Sequence, residues 1–254
     1  FLQQQINFLS CQFLKYFGIE IGGHVIQIGK VGYEDWDTVR KITDPLYTNG
    51  AENVYKTADK SDVRCLDAGL SEQMREEIKT QRKAGSSLGG IYEIIITGVP
   101  VGLGSFTHWD QKLDGKIAQA IIGTQAMKGV EVGLGFEAAK RDGQNVHDPI
   151  THNGSDFKRS TNHSGGIEGG MSTGMPIIIR GAMKPIPTML NPLSTVDMHT
   201  LEVTETRYER SDVCALPRAV VVAESVIAPV IANAFLEKFG GDSIAEIEER
   251  FRKS

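Results

Sequence analysis

Cysteine is scarce. The 254 residues hold three, Cys11, Cys65 and Cys214, at no metal-ligand spacing and in an odd number. A disulfide framework is excluded on that count, and a reduced, cytoplasmic setting is expected. No run approaches the ~18–20 apolar residues of a membrane span, so no membrane partner is expected. The opening Phe1-Leu2-Gln3-Gln4-Gln5 lacks a methionine, a basic segment and a cleavage site, so it is no signal peptide. The chain begins mid-helix by pattern without Met, which places the expected N-terminus upstream. Positive charge is not in excess. A net charge of -5 gives no general attraction to nucleic acid, and any anionic ligand must be held by locally placed Lys and Arg. The Walker pattern, a Gly-x-Gly-x-x-Gly opening a helix, a Gly-x-Ser-x-Gly elbow and a recognised cysteine nucleophile are all missing. His147 and His152, with Asp148 nearby, are too loosely spaced in a Gly/Asn/Pro-rich loop to predict a metal. His108 beside Trp109 reads as a loop contact rather than a base.

What is present is ordinary globular composition, 40% hydrophobic and 23% charged, with length for a real core. Residues 8–17 read as the end of an amphipathic helix closed by Gly18. Residues 24–28 alternate as a strand. Residues 33–63 are weakly patterned, with Asp44-Pro45 and Asn49-Gly50 as turns. Residues 71–83 form a charged helix, and residues 84–90 a flexible loop. Residues 92–97 are a strand buried at its centre. Residues 114–128 read as a helix ended by Gly129, with Ile117, Ala120, Ile121, Thr124 and Met127 on one face. Residues 130–136, 176–182 and 199–206 read as strands. Residues 219–239 form a long apolar helix that Pro229 should kink, and Ser243 with Glu246 makes a capping box for the last helix. Gly98-Val99-Pro100-Val101-Gly102-Leu103-Gly104 echoes Gly129-Val130-Glu131-Val132-Gly133-Leu134-Gly135. Internal pseudo-symmetry would account for this, and so would chance glycine spacing.

Three segments carry candidate chemistry. Arg210-Ser211-Asp212-Val213-Cys214 stands just before the long apolar helix. Burying Arg210 and Asp212 there would cost several kcal/mol unless each is paired, which points to a ligand site: the Arg for an anion, the Asp for a proton. The alternatives are a surface salt bridge or a helix N-cap, although Pro217 marks the first helical turn and leaves Asp212 in the preceding loop. Lys184-Pro185-Ile186-Pro187-Thr188 follows a strand directly; its prolines stiffen the turn and leave Lys184 and the Thr188 hydroxyl for a phosphate, unless it is a rigid crossover loop with a solvated lysine. The glycines of residues 162–174 permit close backbone approach to a phosphate or a planar ring, or else form a long surface turn.

Taken in order, these segments resemble chorismate synthase. The matching pieces are Gly98-Val99-Pro100-Val101-Gly102-Leu103-Gly104 with Asp110-Gln111-Lys112-Leu113-Asp114; Lys128-Gly129-Val130-Glu131-Val132-Gly133; Asn162-His163-Ser164-Gly165-Gly166-Ile167-Glu168-Gly169-Gly170; Lys184-Pro185; and Arg210-Ser211-Asp212-Val213-Cys214 with Glu224-Ser225. The resemblance runs from about residue 13 to the end of the chain. It implies an α/β (α+β) fold of the family's β-α-β sandwich type, with helices packed between sheets, residues 1–254 forming one domain without the family's N-terminal third. That third carries a Gly-x-Ser-His-Gly motif, a second histidine, several arginines and a Ser-Ala-Arg-Glu segment. Phe1-Leu2-Gln3-Gln4-Gln5-Ile6-Asn7 stands where the helix after that segment should start, and it does not match the family there.

The activity implied is a carbon–oxygen lyase reaction, anti-1,4-elimination of phosphate from 5-enolpyruvylshikimate 3-phosphate to chorismate, in a homotetramer that requires reduced FMN. By the same resemblance Asp212 is catalytic, near the flavin, and assists proton removal. Arg210 contacts the flavin–substrate pair. Lys184, Pro185, Ile186, Pro187 and Thr188 contact the flavin, Gly169 does so through its backbone, and Gln125 and Ala126 do so from the end of the 114–128 helix, reaching a neighbouring subunit. The alternative is an inactive FMN-binding fragment or scaffold without the N-terminal histidines.

Overall fold

The computed structural model describes residues 2–152, 154, 157–207 and 209–253; Phe1 of the opening segment lies outside them. The helices are α1 (Leu2–Tyr16), α2 (Trp36–Tyr47), α3 (Glu52–Ala58), α4 (Ala68–Lys83), α5 (Leu113–Ile122), α6 (Leu216–Phe239) and α7 (Ile244–Arg252). The strands are β1 (Glu20–Ile28), β2 (Val31–Gly32), β3 (Gly90–Thr97), β4 (Met127–Val132), β5 (Ile150–His152), β6 (Phe157–Arg159), β7 (Ile167–Glu168), β8 (Met171–Ser172), β9 (Ile177–Met183), β10 (Ser194–Val196) and β11 (Val203–Glu205).

One antiparallel sheet in the order β2-β1-β3-β9-β4 organises the chain. Its centre is β3 against β9, in register from Gly90 opposite Met183 to Ile96 opposite Ile177. Successive strand side chains point to opposite faces, and here both faces are covered. Tyr92, Ile94, Ile96, Ile177 and Ile179 join the main core, which α1, α5 and α6 complete through Leu14, Ile117, Val220, Ile227 and Phe235. Ile95 packs on Ala51 and Val54 beside α3, and Ile178 packs on Trp36 and Leu134. This is why residues 92–97 and 176–182 read as continuous isoleucine-rich runs rather than clean alternation. The α/β (α+β) class is present, and the described residues contribute one large sheet to it.

Several local expectations hold at the level of hydrogen bonds. Gly18, at φ 75, ends α1 while Ile19 N–H turns back to the Leu14 carbonyl at 3.0 Å. Ser243 caps α7 by accepting from Glu246 N–H at 3.3 Å, and the Glu246 carboxylate accepts from Asp242 N–H at 2.9 Å. Pro217 lies in the first turn of α6, and Pro229 lies within that helix rather than ending it.

Others are corrected. The weakly patterned residues 33–63 contain α2 and α3. Asp35 caps α2 by accepting from Thr38 N–H at 2.7 Å, and the helix buries Trp36, Val39 and Thr43 at helical spacing, a stripe that ends in a polar residue and is followed by Pro45. Pro45 is inside α2, near its C-terminal end, instead of forming a turn with Asp44. The helix read over 114–128 stops at Ile122, capped by Gly123. Met127 is the first residue of β4; its helical spacing from Ile117 and Ile121 is coincidental, and pairing with β9 decides its conformation. β4 in turn ends at Val132, because Gly133 and Gly135 adopt positive φ of 58 and 56. The 98–104 and 129–135 echoes are not equivalent: the first is turn beyond β3, whereas the second begins inside β4. Of residues 199–206 only Val203–Glu205 is strand, paired with β10 in an exposed hairpin. Finally, α6 is 24 residues long and contains an 18-residue stretch of mean hydropathy 2.0, enough by length and composition to span a membrane. Glu224 interrupts its apolar run and hid that length in the sequence. Its apolar stretch is half buried against β1, β3, α1 and α5, as a core helix is.

Candidate functional site

A cleft of about 480 Å³ opens where the segment before α6, the turn after β9 and the end of α4 meet. Thr188, Arg210 and Asp212 line it, together with Arg82, Ser86 and Ser211. The two candidate segments are joined directly: Thr188 Oγ1 donates to Ser211 Oγ at 2.9 Å, and Ser211 Oγ donates to the Thr188 carbonyl at 3.1 Å. Neither Arg210 nor Asp212 is buried, so the desolvation argument made from sequence does not apply to them in this chain. Asp212 Oδ2 accepts from Arg218 Nη1 at 2.5 Å, a partly exposed ion pair. It does not cap α6, whose N-cap Ala215 has no side-chain cap. Among the described residues Arg210 and Arg82 have no carboxylate partner, so the cleft presents two uncompensated guanidinium groups, several hydroxyls and one carboxylate already held in place. That donor set suits a phosphorylated ligand. Next to it, burial pushes the Cys214 thiol up, aided by the Asp212 charge, which argues against a nucleophilic thiolate.

The remaining predicted residues lie elsewhere. Lys184 is exposed just past β9, and its N–H donates to the Ala126 carbonyl at 2.9 Å, so Gln125 and Ala126 flank it. Both sit in the α5–β4 turn, where Ala126 takes a φ of 67, and not on the helix expected there. Gly169 is in the β7–β8 turn, and the adjacent Gly170 carbonyl accepts from Leu113 N–H at the start of α5, at 2.9 Å. Lys184 is therefore tied to the turn after α5, whereas Gly169 stands beside a residue tied to the start of that ten-residue helix, about 15 Å of helix at ~1.5 Å per residue. A single pocket within one chain does not gather all the predicted groups: the hairpin that carries Gly169 is anchored at the wrong end of α5.

The glycine stretch is not a loose surface turn. Asp148 accepts from Thr161 Oγ1 at 2.5 Å, His163 N–H at 2.7 Å and Ser164 N–H at 2.9 Å. Burial would raise its carboxyl, but these bonds outweigh burial and hold it below the usual range. Gly165 and Gly166 serve chain packing, since a Cβ on Gly165 would lie 2.3 Å from Gly133 N and one on Gly166 2.5 Å from the Pro176 carbonyl oxygen. Gly169, at φ 59, has nothing within 4 Å of that position and is open to a ligand. Among the described residues no three His, Cys, Asp or Glu side chains gather as a metal site.

Sequence reasoning missed Arg82, Ser86 and Ser87. They lie in and after α4 in a stretch that reads as polar and flexible, and no periodic or motif signal marks them. It also missed the buried pair Arg64–Glu224, 3.4 Å apart beneath α6.

The fold and cleft define an α+β protein with a polar, arginine-bearing recess built from three chain segments. The family model for chorismate synthase matches residues 6–236. The chorismate synthase of Salinibacter ruber is 49% identical over 239 residues, covering 92% of this chain and 59% of its own length. That of Bacillus pumilus is 47% identical over 243 residues, covering 95% and 60%. A crystal structure of chorismate synthase superposes with a TM-score of 0.79 at 38% identity, covering 98% of this chain and 66% of that one. The chain belongs to the chorismate synthase family, and it spans about 60% of the length of the curated relatives it matches.

Proposed function

We propose that a protein containing this chain is a lyase that converts 5-enolpyruvylshikimate 3-phosphate to chorismate by anti-1,4-elimination of phosphate, with reduced FMN as cofactor. Family membership supports the reaction. The observation that carries the site is the meeting of Thr188, Arg210 and Asp212 in one cleft. Two guanidiniums with no carboxylate partner among the described residues, together with the cleft hydroxyls, suit a phosphate-bearing molecule. When bound, reduced FMN supplies transient electron density that helps an allylic C–O bond break with no net redox change.

The chain's own residues bind, orient and move a proton. Arg210 offers a planar fork to a phosphate or carboxylate. Asp212 is the group that receives or relays the ring proton, and Arg218 orients its carboxylate. Lys184 adds positive charge beside the 184–188 turn, and Pro185, Ile186 and Pro187 give that turn one shape. In this reading the protein is a homotetramer. Gln125 and Ala126, which flank Lys184, reach the flavin of a neighbouring subunit, and Gly169 contacts flavin through its backbone.

The test is an anaerobic assay of the purified chain for chorismate formation with chemically reduced FMN, with intact mass measured on the same sample. Product formed only with reduced flavin supports the lyase. FMN binding without product at a mass near 27.7 kDa supports the second reading, a flavin-binding scaffold; the exposure of Arg210 and Asp212 favours that reading for the chain alone. Neither binding nor turnover rejects both.

A further inference from the structure

The turn after β9 has a hydrogen-bonding deficit written into its sequence. β-pairing stops at Met183, and Pro185 and Pro187 carry no N–H. The turn cannot hold itself, so its ties come from other segments. Lys184 N–H goes to Ala126, and the Thr188 hydroxyl and carbonyl go to Ser211. The Ile186 carbonyl, between the two prolines, accepts from Ser87 Oγ at 2.5 Å.

Ser87 is buried, in the stretch that reads as a flexible loop. The stretch is instead tied at every step. Asn191 N–H donates to the Gly85 carbonyl at 3.0 Å, and Asn191 Nδ2 donates to the Ala84 carbonyl at 2.6 Å. Leu88 N–H donates to the Val213 carbonyl at 2.7 Å, and Leu88 bridges Cys214 in parallel. Gly89 passes so close to the turn that a Cβ there would stand 2.2 Å from the Met183 carbonyl oxygen. One short segment thus grips the proline turn through Ser87 and the pre-α6 segment through Leu88, while Ser211 closes the triangle between the two.

We propose that Ser87 is a positioning residue: its hydroxyl, acting with the Leu88 backbone, locks the 184–188 turn to the 210–214 segment so that the two walls of the cleft keep one geometry. The functional consequence rests on the flavin-site reading above; the mechanical one does not. A serine that merely filled space would not need an acceptor. This one meets a carbonyl that among the described residues has no backbone donor, and burying that carbonyl unpaired is unfavourable.

The test is Ser87→Ala in the whole chain, read first by amide hydrogen exchange. The brace requires about tenfold faster exchange both at Lys184, whose N–H ties the turn to Ala126, and at Leu88, whose N–H ties the clasp to Val213, while β3 stays protected; tenfold corresponds to about 1.4 kcal/mol. Acceleration confined to Lys184, or none, overturns it. The second readout is FMN titration by flavin fluorescence. Affinity should fall about tenfold in Ser87→Ala with the melting temperature of the β3-containing core nearly unchanged, and equal affinity in a wild-type chain that binds FMN removes the functional role. A wild-type chain that does not bind FMN sinks the flavin reading, and exchange still decides the brace. If Ser87→Ala does not fold, Ser211→Ala takes its place: the brace then requires faster exchange across residues 86–88, and unchanged exchange there overturns it.

Discussion

Glu93 and Arg180 face each other across β3 and β9, with Arg180 Nε 3.1 Å from Glu93 Oε2. The carboxylate is fully buried and also accepts from Arg40, while His24 Nε2 lies 3.3 Å from its other oxygen. Both guanidiniums stack on the Trp36 ring, at 4.7 Å and 4.4 Å from its centroid. One carboxylate therefore fastens α2 to the sheet from beneath, and a single tryptophan supports both cations.

Burial alone would raise the Glu93 carboxyl, but Arg40, His24 and Arg180 outweigh it and bring it down to about 2. The stabilisation is present above the ordinary value of 4.5 and is lost as pH falls from there toward about 2. Glu93→Gln leaves Arg180 without a carboxylate partner among the described residues and Arg40 with only Asp44, 3.7 Å away, and should cost about 3–5 kcal/mol near neutrality. Urea unfolding of both proteins should converge as pH falls through that window. A difference that stays constant down to pH 2 would count against the assignment.

Glu224 behaves oppositely. Burial pushes its carboxyl up, the Arg64 guanidinium offsets this only in part, and the result is about 7 against an ordinary 4.5. A raised carboxyl contributes stability at low pH that declines as pH rises through that interval and is flat above it. Relative to Glu224→Gln, the wild-type chain should lose about 3 kcal/mol between pH 4.5 and pH 7. Calorimetry of the two proteins at pH 5 and pH 8 checks this; parallel curves would reject it.

Asp212→Asn preserves shape and removes the carboxylate proposed above to take the ring proton. In a reduced-FMN assay turnover should fall by about 10²–10⁴ while flavin affinity holds. The melting temperature should barely move, because the Asp212–Arg218 pair is substantially exposed. Equal losses of binding and rate would make Asp212 a structural residue.

Lys184→Ala should weaken FMN binding most at low ionic strength, with the penalty shrinking as salt screens the wild-type contact. Titrations at several salt concentrations decide it. A penalty independent of salt, or no penalty, would remove Lys184 as a charge contact.

How far sequence reading reached depended on whether the deciding partner was local. Gly18, Pro217, Ser243 and Glu246 act within a turn of where they stand, and their roles were legible. Trp36 was not, since the groups that α2 packs against, Glu93, Leu134, Ile178 and Arg180, are far from it in the chain. The candidate site divided in the same way. Arg210, Asp212 and Thr188 were recognisable as chemistry, and they do share a cleft. Arg82, Ser86 and Ser87 were invisible, because a serine two residues beyond a glycine looks alike whether it is solvated or pinned to a proline turn a hundred positions away.

By itself the sequence determined the buried strands at 92–97 and 176–182, the long helix before the C-terminus, and the family motifs, because each is a contiguous pattern of side-chain size, polarity and backbone freedom. Tertiary structure alone decided that α5 stops at Gly123 so that Met127 can pair with Met183, that the 84–89 segment is a clasp, and that Gly169 and Lys184 are tied near opposite ends of α5. Those outcomes depend on hydrogen bonds and close approaches between residues far apart in the chain, which no local pattern encodes.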